Sequence, residues 1–247
     1  MDMRLAGNLI KLLSILEQPG AFNQLVKSRV FSVSSYQINA ALSQYQSTFN
    51  TIIDIGANCG QFAAAAAHRF PMARIYSFEP VPDVFEKLKQ NVKDQPQIQA
   101  FNYAVGNNTG KTRFHRHQYT QASSALTLHR DNNHPYFNQD DVTLIEVELV
   151  RLDDIMTQLE LAPPVLLKMD VQGYEKEVLD GAQILIRMVD HIALETSLVQ
   201  LYNDQPLFDE MHAYIKERGF EFVAPLDIHK GRDLTIVEMD VLYSRAV

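Results

Sequence analysis

The sequence predicts an α/β fold with a mostly parallel central sheet, and three observations predict it. From residue 51 onward short apolar runs alternate with helical patterns, the rhythm of strands joined by crossover helices. Several runs end on a carboxylate or a glycine turn, as in Asp54-Ile55-Gly56, Phe78-Glu79 and Met169-Asp170, and the carboxyl ends of parallel strands are where an open sheet binds ligands. The 247 residues, 46% hydrophobic and 21% charged, suffice to bury one large core.

The elements follow in order. Leu5, Leu9, Leu12, Leu13 and Leu16 share one helical face, and Pro19-Gly20 ends that helix. Residues 21–50 read as helical or irregular, so 1–50 form an N-terminal helical segment. Its apolar face suits packing on the main domain more than a lid or a dimer contact. The main domain spans 51–247. Thr51–Ile55 is a buried strand, 56–60 a turn, 61–70 an alanine-rich helix, and 74–78 a second strand ending at Glu79. A helix over 83–92 places Val84, Leu88 and Val92 on one face, and 98–103 is a third strand.

Residues 107–150 interrupt the rhythm as an insertion. Thr112–His117 reads as a strand, and in 142–150 Ile145, Val147 and Leu149 alternate with Glu146 and Glu148, as in a half-buried antiparallel strand. Then come a helix over 152–159, a strand over 165–169, a helix over 174–187 and a strand over 191–194 ending at Glu195. A helix over 208–218 stops at Gly219, and 220–223 and 235–243 close the sheet.

Net charge is −8 and the pI about 5.4, which argues against a protein that grips nucleic acid or an anionic membrane with its whole surface. No run approaches the roughly 20 apolar residues of a membrane span. Asp2, Asn8 and Lys11 spoil a signal-peptide pattern. The single cysteine, Cys59, suits a reducing cytoplasm. Oligomeric state is not legible.

Four features fall at predicted carboxyl ends. In Asp54-Ile-Gly-Ala-Asn-Cys-Gly60, Gly56 and Gly60 permit a tight turn. The next helix offers free N–H groups to an anion, and Asp54 suits an ammonium. Glu79 can accept hydrogen bonds from both hydroxyls of a ribose. Asn102-Tyr-Ala104 closes the third strand near an adenine, and Asp170 in Lys168-Met-Asp-Val-Gln-Gly173 closes the fourth. A nicotinamide enzyme carries G-x-G-x-x-G; the turn here reads G-A-N-C-G, which favours S-adenosyl-L-methionine. Asp54 and Asp170 capping loops or helices is the plainer alternative.

Together Asp54–Gly60, Phe78-Glu79-Pro80, Leu152-Asp153-Asp154, Leu167–Glu175 and Val178-Leu-Asp-Gly181 resemble the FkbM family of methyltransferases over about 51–243. The resemblance implies a Rossmann-like class I methyltransferase fold, a mostly parallel seven-stranded sheet flanked by helices with an antiparallel insertion. It implies methyl transfer from S-adenosyl-L-methionine, usually to a hydroxyl of a sugar, glycolipid or natural product. By position Asp54, Gly56, Ala57, Asn58 and Gly60 surround the methionine end, Glu79 holds the ribose, and Pro80, Val81, Asn102 and Ala104 line the adenine side. Many relatives carry Glu where this chain has Gln172, whose amide can hydrogen-bond but cannot act as a base or a charged ligand.

For the hydroxyl proton Asp170 is the first candidate base, with cofactor binding or a turn cap as its alternative. His115, His117, His129 and His134 are others; they lack a partner pair at zinc-like spacing, and no metal site is expected. Residues 107–145 select the acceptor, with Ser123 and Ser124 facing its pocket. Glu195 touches the acceptor or caps a helix. Lys168 is a strand neighbour with a snorkelling amine, and Cys59 a packing residue in the turn. Two other classes stay open: an idle binding domain, and a nicotinamide-dependent oxidoreductase.

Overall fold

The computed structural model describes residues 29–129, 142–231 and 233–246; the predicted helix over 5–16 and His134 lie outside them. A seven-stranded sheet forms the centre, in the order β3-β2-β1-β7-β8-β10-β9. Here β1 is Thr51–Ile55, β2 Arg74–Phe78, β3 Ile98–Phe101, β7 Val165–Met169, β8 His191–Ser197, β9 Phe220–Lys230 and β10 Ile236–Arg245. The first five strands in space run parallel, and β10 runs antiparallel to β8 and β9. Every residue of β1 and β7 is buried, as strands covered on both faces require. From β1 the chain builds outward through β2 and β3, then crosses back to lay β7 on the other side of β1. Between β1 and β7 lies the topological switch point, where neighbouring loops diverge and leave a crevice.

Two helical layers cover the sheet. On one face, α1 (Val33–Tyr45) and α2 (Gln61–Arg69) bring Ile38, Leu42, Phe62, Ala63 and Ala66 against Ile52, Leu166, Ala193 and Leu242. The alanine run of α2 has little side chain to hold it off the sheet. The opposite face packs Val178, Leu179, Leu185, Met211 and Ile215 on Ile53, Leu167, Ile192 and Val241. These come from α5 (Glu175–Asp180), a 3-10 turn at Leu185–Met188, and α6 (Phe208–Lys216). The helix α3 (Pro82–Val92) buries Val84, Leu88 and Val92, the predicted stripe.

The insertion forms a second sheet of three strands, β4 (Ala104–Val105), β6 (Val142–Val150) and β5 (Gly110–His117). β5 and β6 pair antiparallel, as the alternation implies, and β4 adds a parallel pair. Its apolar face packs Phe114, Val147 and Leu149 on Val81, Val84 and Ala104.

Several boundaries differ from the sequence reading, each for a physical reason. The third strand ends at Phe101 rather than 103, because the Asn102 amide donates to the Glu79 and Pro80 carbonyls and the chain then joins the second sheet. Only Leu152–Ile155 of the predicted 152–159 helix is α-helical (α4), and Met156–Gln158 tighten to a 3-10 turn. The predicted 174–187 helix breaks after Asp180, since Gly181 lies against Gly106. β9 runs on to Lys230, well past the predicted 220–223, because β10 supplies its backbone partners through a bulged antiparallel ladder, whereas β10 (Ile236–Arg245) lies within two residues of the predicted 235–243.

A Cβ added at Gly181 would stand 1.9 Å from the Gly106 carbonyl oxygen, so backbone must shift to admit it. Gly181→Ala is expected to destabilise the fold by about 1–3 kcal/mol, the usual cost of overpacking, read as a lower urea midpoint. An unchanged midpoint would mean that this approach is not needed.

Candidate active site

The site is built from loops at the carboxyl ends of β1, β2, β7 and β8. Asp54 is fully buried in β1 and stands in register with Lys168 on β7. The Lys168 Nζ lies 3.2 Å from Asp54 Oδ1 and 3.5 Å from Asp170 Oδ2. Its ammonium sits 5.2 Å from the centre of the Phe62 ring, and Ser77 Oγ donates to Asp54 Oδ2 at 3.5 Å. Burial works against the ammonium, yet Asp54 and Asp170 outweigh it and hold Lys168 above its ordinary range. Burial likewise pushes the Asp54 carboxyl up, with Lys168 pulling it back. The sequence reading gave Lys168 a snorkelling amine and set Asp54 against a ligand's ammonium; register on the sheet turns the two toward each other, so the ammonium beside Asp54 is that of Lys168.

After β1 the chain makes its glycine turn. Gly56 has φ +80°, and a Cβ there would lie 1.9 Å from the Asp170 carbonyl oxygen. The loops after β1 and β7 therefore touch backbone to backbone. Asn58 and Gly60 also adopt positive φ, and α2 starts at Gly60 without a side-chain cap, leaving first-turn N–H groups for a partner outside the helix.

Glu79 ties this turn to the next loop. It is 6% exposed; Oε2 accepts from the Asn58 N–H at 3.0 Å and Oε1 from the Val81 N–H at 2.9 Å. Burial pushes its carboxyl up to about 7 even though both amide bonds favour the charged form. Pro80 and Asn102 sit beside it, the Asn102 amide donating to the Glu79 and Pro80 carbonyls at 2.8 and 3.0 Å. Ala57, Val81 and Ala104 have their side chains in the core. Burial pushes the Cys59 thiol up as well, in keeping with a packing residue in the turn.

The loop after β7 holds the second half of the site. The Gln172 backbone is left-handed, with φ +57°. From that position Nε2 donates to Asp170 Oδ1 at 3.0 Å and to Glu195 Oε2 at 2.5 Å, while Oε1 accepts from Tyr202 Oη at 2.9 Å. The buried Glu175 accepts from the Val171 N–H at 3.0 Å and fixes the loop from below. Glu195 lies inside β8 rather than at its end.

The insertion closes over both halves. Thr120 Oγ1 donates to Asn58 Oδ1 at 3.1 Å, and the fully buried Ser124 donates to the Gln172 carbonyl at 2.8 Å. Ser123 accepts from the His117 N–H. Both serines thus fasten the insertion. Arg116 forms a two-pronged pair with Asp83 at the start of α3. Among the described residues, a cavity of about 350 Å³ opens beside this cover, lined by His115, Leu126, Thr127, Tyr202 and Asn203. Tyr202 joins it to Gln172 and the Ala122 carbonyl.

A family model described as the methyltransferase FkbM domain matches residues 54–222. The chain belongs to the FkbM methyltransferase family. The strand order β3-β2-β1-β7-β8-β10-β9 is the mostly parallel seven-stranded sheet that the motifs imply. The 2-O-methyltransferase NoeI of Sinorhizobium fredii is 28% identical over 62% of this chain and 66% of its own length. The hexuronic acid methyltransferase AglP of Haloferax volcanii is 24% identical over 58% and 54%. The 31-O-demethyl-FK506 methyltransferase FkbM of Streptomyces tacrolimicus is 25% identical over 72% and 75%. The match thus spans just under two thirds of NoeI and little more than half of AglP. Among the described residues no helix is long and apolar enough to cross a membrane.

The motifs placed Asp54, Gly56, Asn58, Gly60, Glu79, Asn102 and Asp170 on one sheet edge, and the structure gathers them there. Sequence reasoning missed Tyr202, Thr120, His229 and Asp240, which reach the edge from distant segments. The one signal for the last of these is Glu238 and Asp240 alternating with the apolar Val237, Met239 and Val241 of β10.

Removing one partner of a buried ion pair leaves the other charge uncompensated. Lys168→Met is therefore expected to cost about 3–5 kcal/mol in denaturant unfolding. The double variant Asp54→Asn/Lys168→Met should recover much of that loss; an additive loss would show that the pair is not coupled.

Proposed function

We propose that this chain transfers a methyl group from S-adenosyl-L-methionine to a hydroxyl of a sugar, glycolipid or other natural product. The observation that carries the reading is the buried Glu79, which spans the glycine turn after β1 and the loop after β2 at the switch-point crevice. When bound, S-adenosyl-L-methionine supplies an electrophilic methyl on a positive sulfonium. The chain's own groups fit such a ligand. A carboxylate has about four lone-pair sites, so Glu79 can accept from two ribose hydroxyls while keeping its amide bonds. Gly56, Ala57, Asn58 and Gly60 present backbone to the methionine end, and the uncapped start of α2 suits its carboxylate. Pro80, Val81, Asn102 and Ala104 border the adenine side. Asp54 acts from beneath, holding the ends of β1 and β7 together through Lys168.

Asp170 is the group that takes the hydroxyl proton. It is partly exposed at the crevice and oriented by Gln172 and Lys168. Holding the acceptor oxygen in line with the methyl is the larger share of the work, and the insertion and Tyr202 supply that wall. Relatives named for O-methylation support an oxygen acceptor, and AglP, named for hexuronic acid, supports a sugar. The acceptor is a small molecule or glycan, and nucleic acid is not the partner. The acidic chain with its single cysteine works in the cytoplasm.

Two measurements test these roles. Hydroxyl donors favour the ionised form of Glu79, so S-adenosylhomocysteine binding should release a proton near neutrality, and affinity should rise as pH rises through about 7. Calorimetry at about pH 6.5 in two buffers of different ionisation enthalpy reads the release, and Glu79→Gln should abolish it. Equal proton release in that variant would remove Glu79 from the ribose. Asp170→Asn should lower turnover by about 100-fold or more, leaving S-adenosylhomocysteine affinity within about twofold. The reverse pattern would make Asp170 a cofactor ligand.

A further inference from the structure

Beyond the Asp54–Lys168 rung, the same face of the sheet turns acidic toward its carboxyl edge. Glu195 follows the Met169–Leu194 rung and pairs with Asp240, Asp240 pairs with Asp227, and Glu238 pairs with His229. Like charges directly opposite one another on paired strands repel, and Lys168 and His229 offset only part of this row.

Three donors from three strands converge there. One carboxylate oxygen of Glu195, one ring nitrogen of His229 and one carboxylate oxygen of Asp240 all lie within 4.8 Å of one another. His229 Nε2 and Asp240 Oδ2 stand 3.3 Å apart. An ionic hydrogen bond closes to about 2.7–2.9 Å. Two neighbouring ligands on one first-row ion, with bonds of about 2.1 Å, stand about 3.0–3.4 Å apart. At 3.3 Å the two form a long hydrogen bond, and the same spacing also fits two ligands of one ion. Asp240 is buried and the other two are half-buried. Gln172 Nε2 holds Glu195 Oε2 at 2.5 Å, the outer hydrogen bond that orients a ligating carboxylate.

We propose that Glu195, His229 and Asp240 bind a first-row divalent cation, one strand along from Asp170. One imidazole and two carboxylates suit Mn²⁺ or Zn²⁺ better than a soft ion. Three protein ligands leave positions for an outside oxygen. Under the methyltransferase reading, that oxygen is the acceptor's own hydroxyl. A cation held there would acidify that hydroxyl, and Asp170, linked to Glu195 through Gln172, would take the proton. Gln172 then spans the two halves of the centre, one amide hydrogen on the base and the other on a metal ligand.

The test uses the full chain without an affinity tag, stripped with chelator and titrated with Mn²⁺. Bound ion is read from the fall of the free Mn²⁺ paramagnetic resonance signal, with Zn²⁺ titrated by calorimetry. The expected result is one ion per chain, with affinity at least tenfold weaker in His229→Ala and in Asp240→Asn. Asp240→Asn removes a like charge from the row, so it should keep the fold, which its melting curve verifies. A folded wild-type chain that takes up neither ion, or variants that bind as tightly as wild type, would overturn the site. S-adenosylhomocysteine binding, measured on the same samples, separates the two readings. Metal uptake without S-adenosylhomocysteine binding supports the centre and sinks only the methyltransferase role.

Discussion

Asp54 and Lys168 face each other across β1 and β7, 3.2 Å apart and shut away from water. Desolvating both ions is costly, and the pair persists only with good geometry and further partners. Ser77, Asp170 and the Phe62 ring supply those partners. The pair pins β1 to β7 one rung before both strands end, so the following loops leave the sheet at one level and meet. That meeting explains why residue 56 is glycine: any side chain there would enter the Asp170 carbonyl. It also explains how a lysine buried in a core strand reaches the reacting edge, with its second contact on Asp170.

Everything above this rung is fastened by side chains whose donors and acceptors serve two loops at once. Glu79 joins the turn after β1 to the loop after β2, Gln172 joins the β7 loop to β8, and Tyr202 joins Gln172 to the insertion. Thr120 and Ser124 complete the circuit from above. A site built this way moves as a unit, because each loop is over-determined by its neighbours. The second sheet, packed by Phe114 and Val147 on the start of α3, makes the cover part of the core.

The parallel part of this fold was readable because its signals are local. β1, β2 and β7 are short apolar runs closed by Asp54-Ile-Gly, Phe78-Glu79 and Met169-Asp170, and their boundaries hold to the residue. β9 was legible only in its apolar start, 220–223, since its polar half is a strand by virtue of the backbone of β10, whereas β10 was read nearly whole as 235–243. The 174–187 helix failed at Gly181, where a contact with residue 106, far off in sequence, decides the break. The site divides the same way. Motif residues within one turn were visible, whereas Glu195, His229 and Asp240 meet only through a three-strand register no sequence window contains. The insertion histidines at 115 and 117 drew attention by proximity in sequence and lie in β5, while the histidine that joins a donor cluster lies on the last hairpin.

The acids at this edge show what holding such a site costs the fold. Burial pushes Glu79, Glu175 and Glu238 each to about 7, and Glu195 is raised well above its ordinary range by burial and by Glu238 and Asp170 beside it. In the unfolded chain such carboxyls titrate near about 4.3. Between that value and about 7 the folded chain binds more protons than the unfolded one, so these groups lend least stability once pH has risen past 7. A protein selected for stability alone would replace such a row with apolar side chains. Its retention is understandable if ligands supply the missing positive charge and hydrogen-bond donors: the sulfonium and ribose hydroxyls along β1 and β2, and a cation along β8 to β10. On that view the edge is unfinished without its ligands, and each acid that opposes folding of the free chain becomes a favourable contact once its partner arrives.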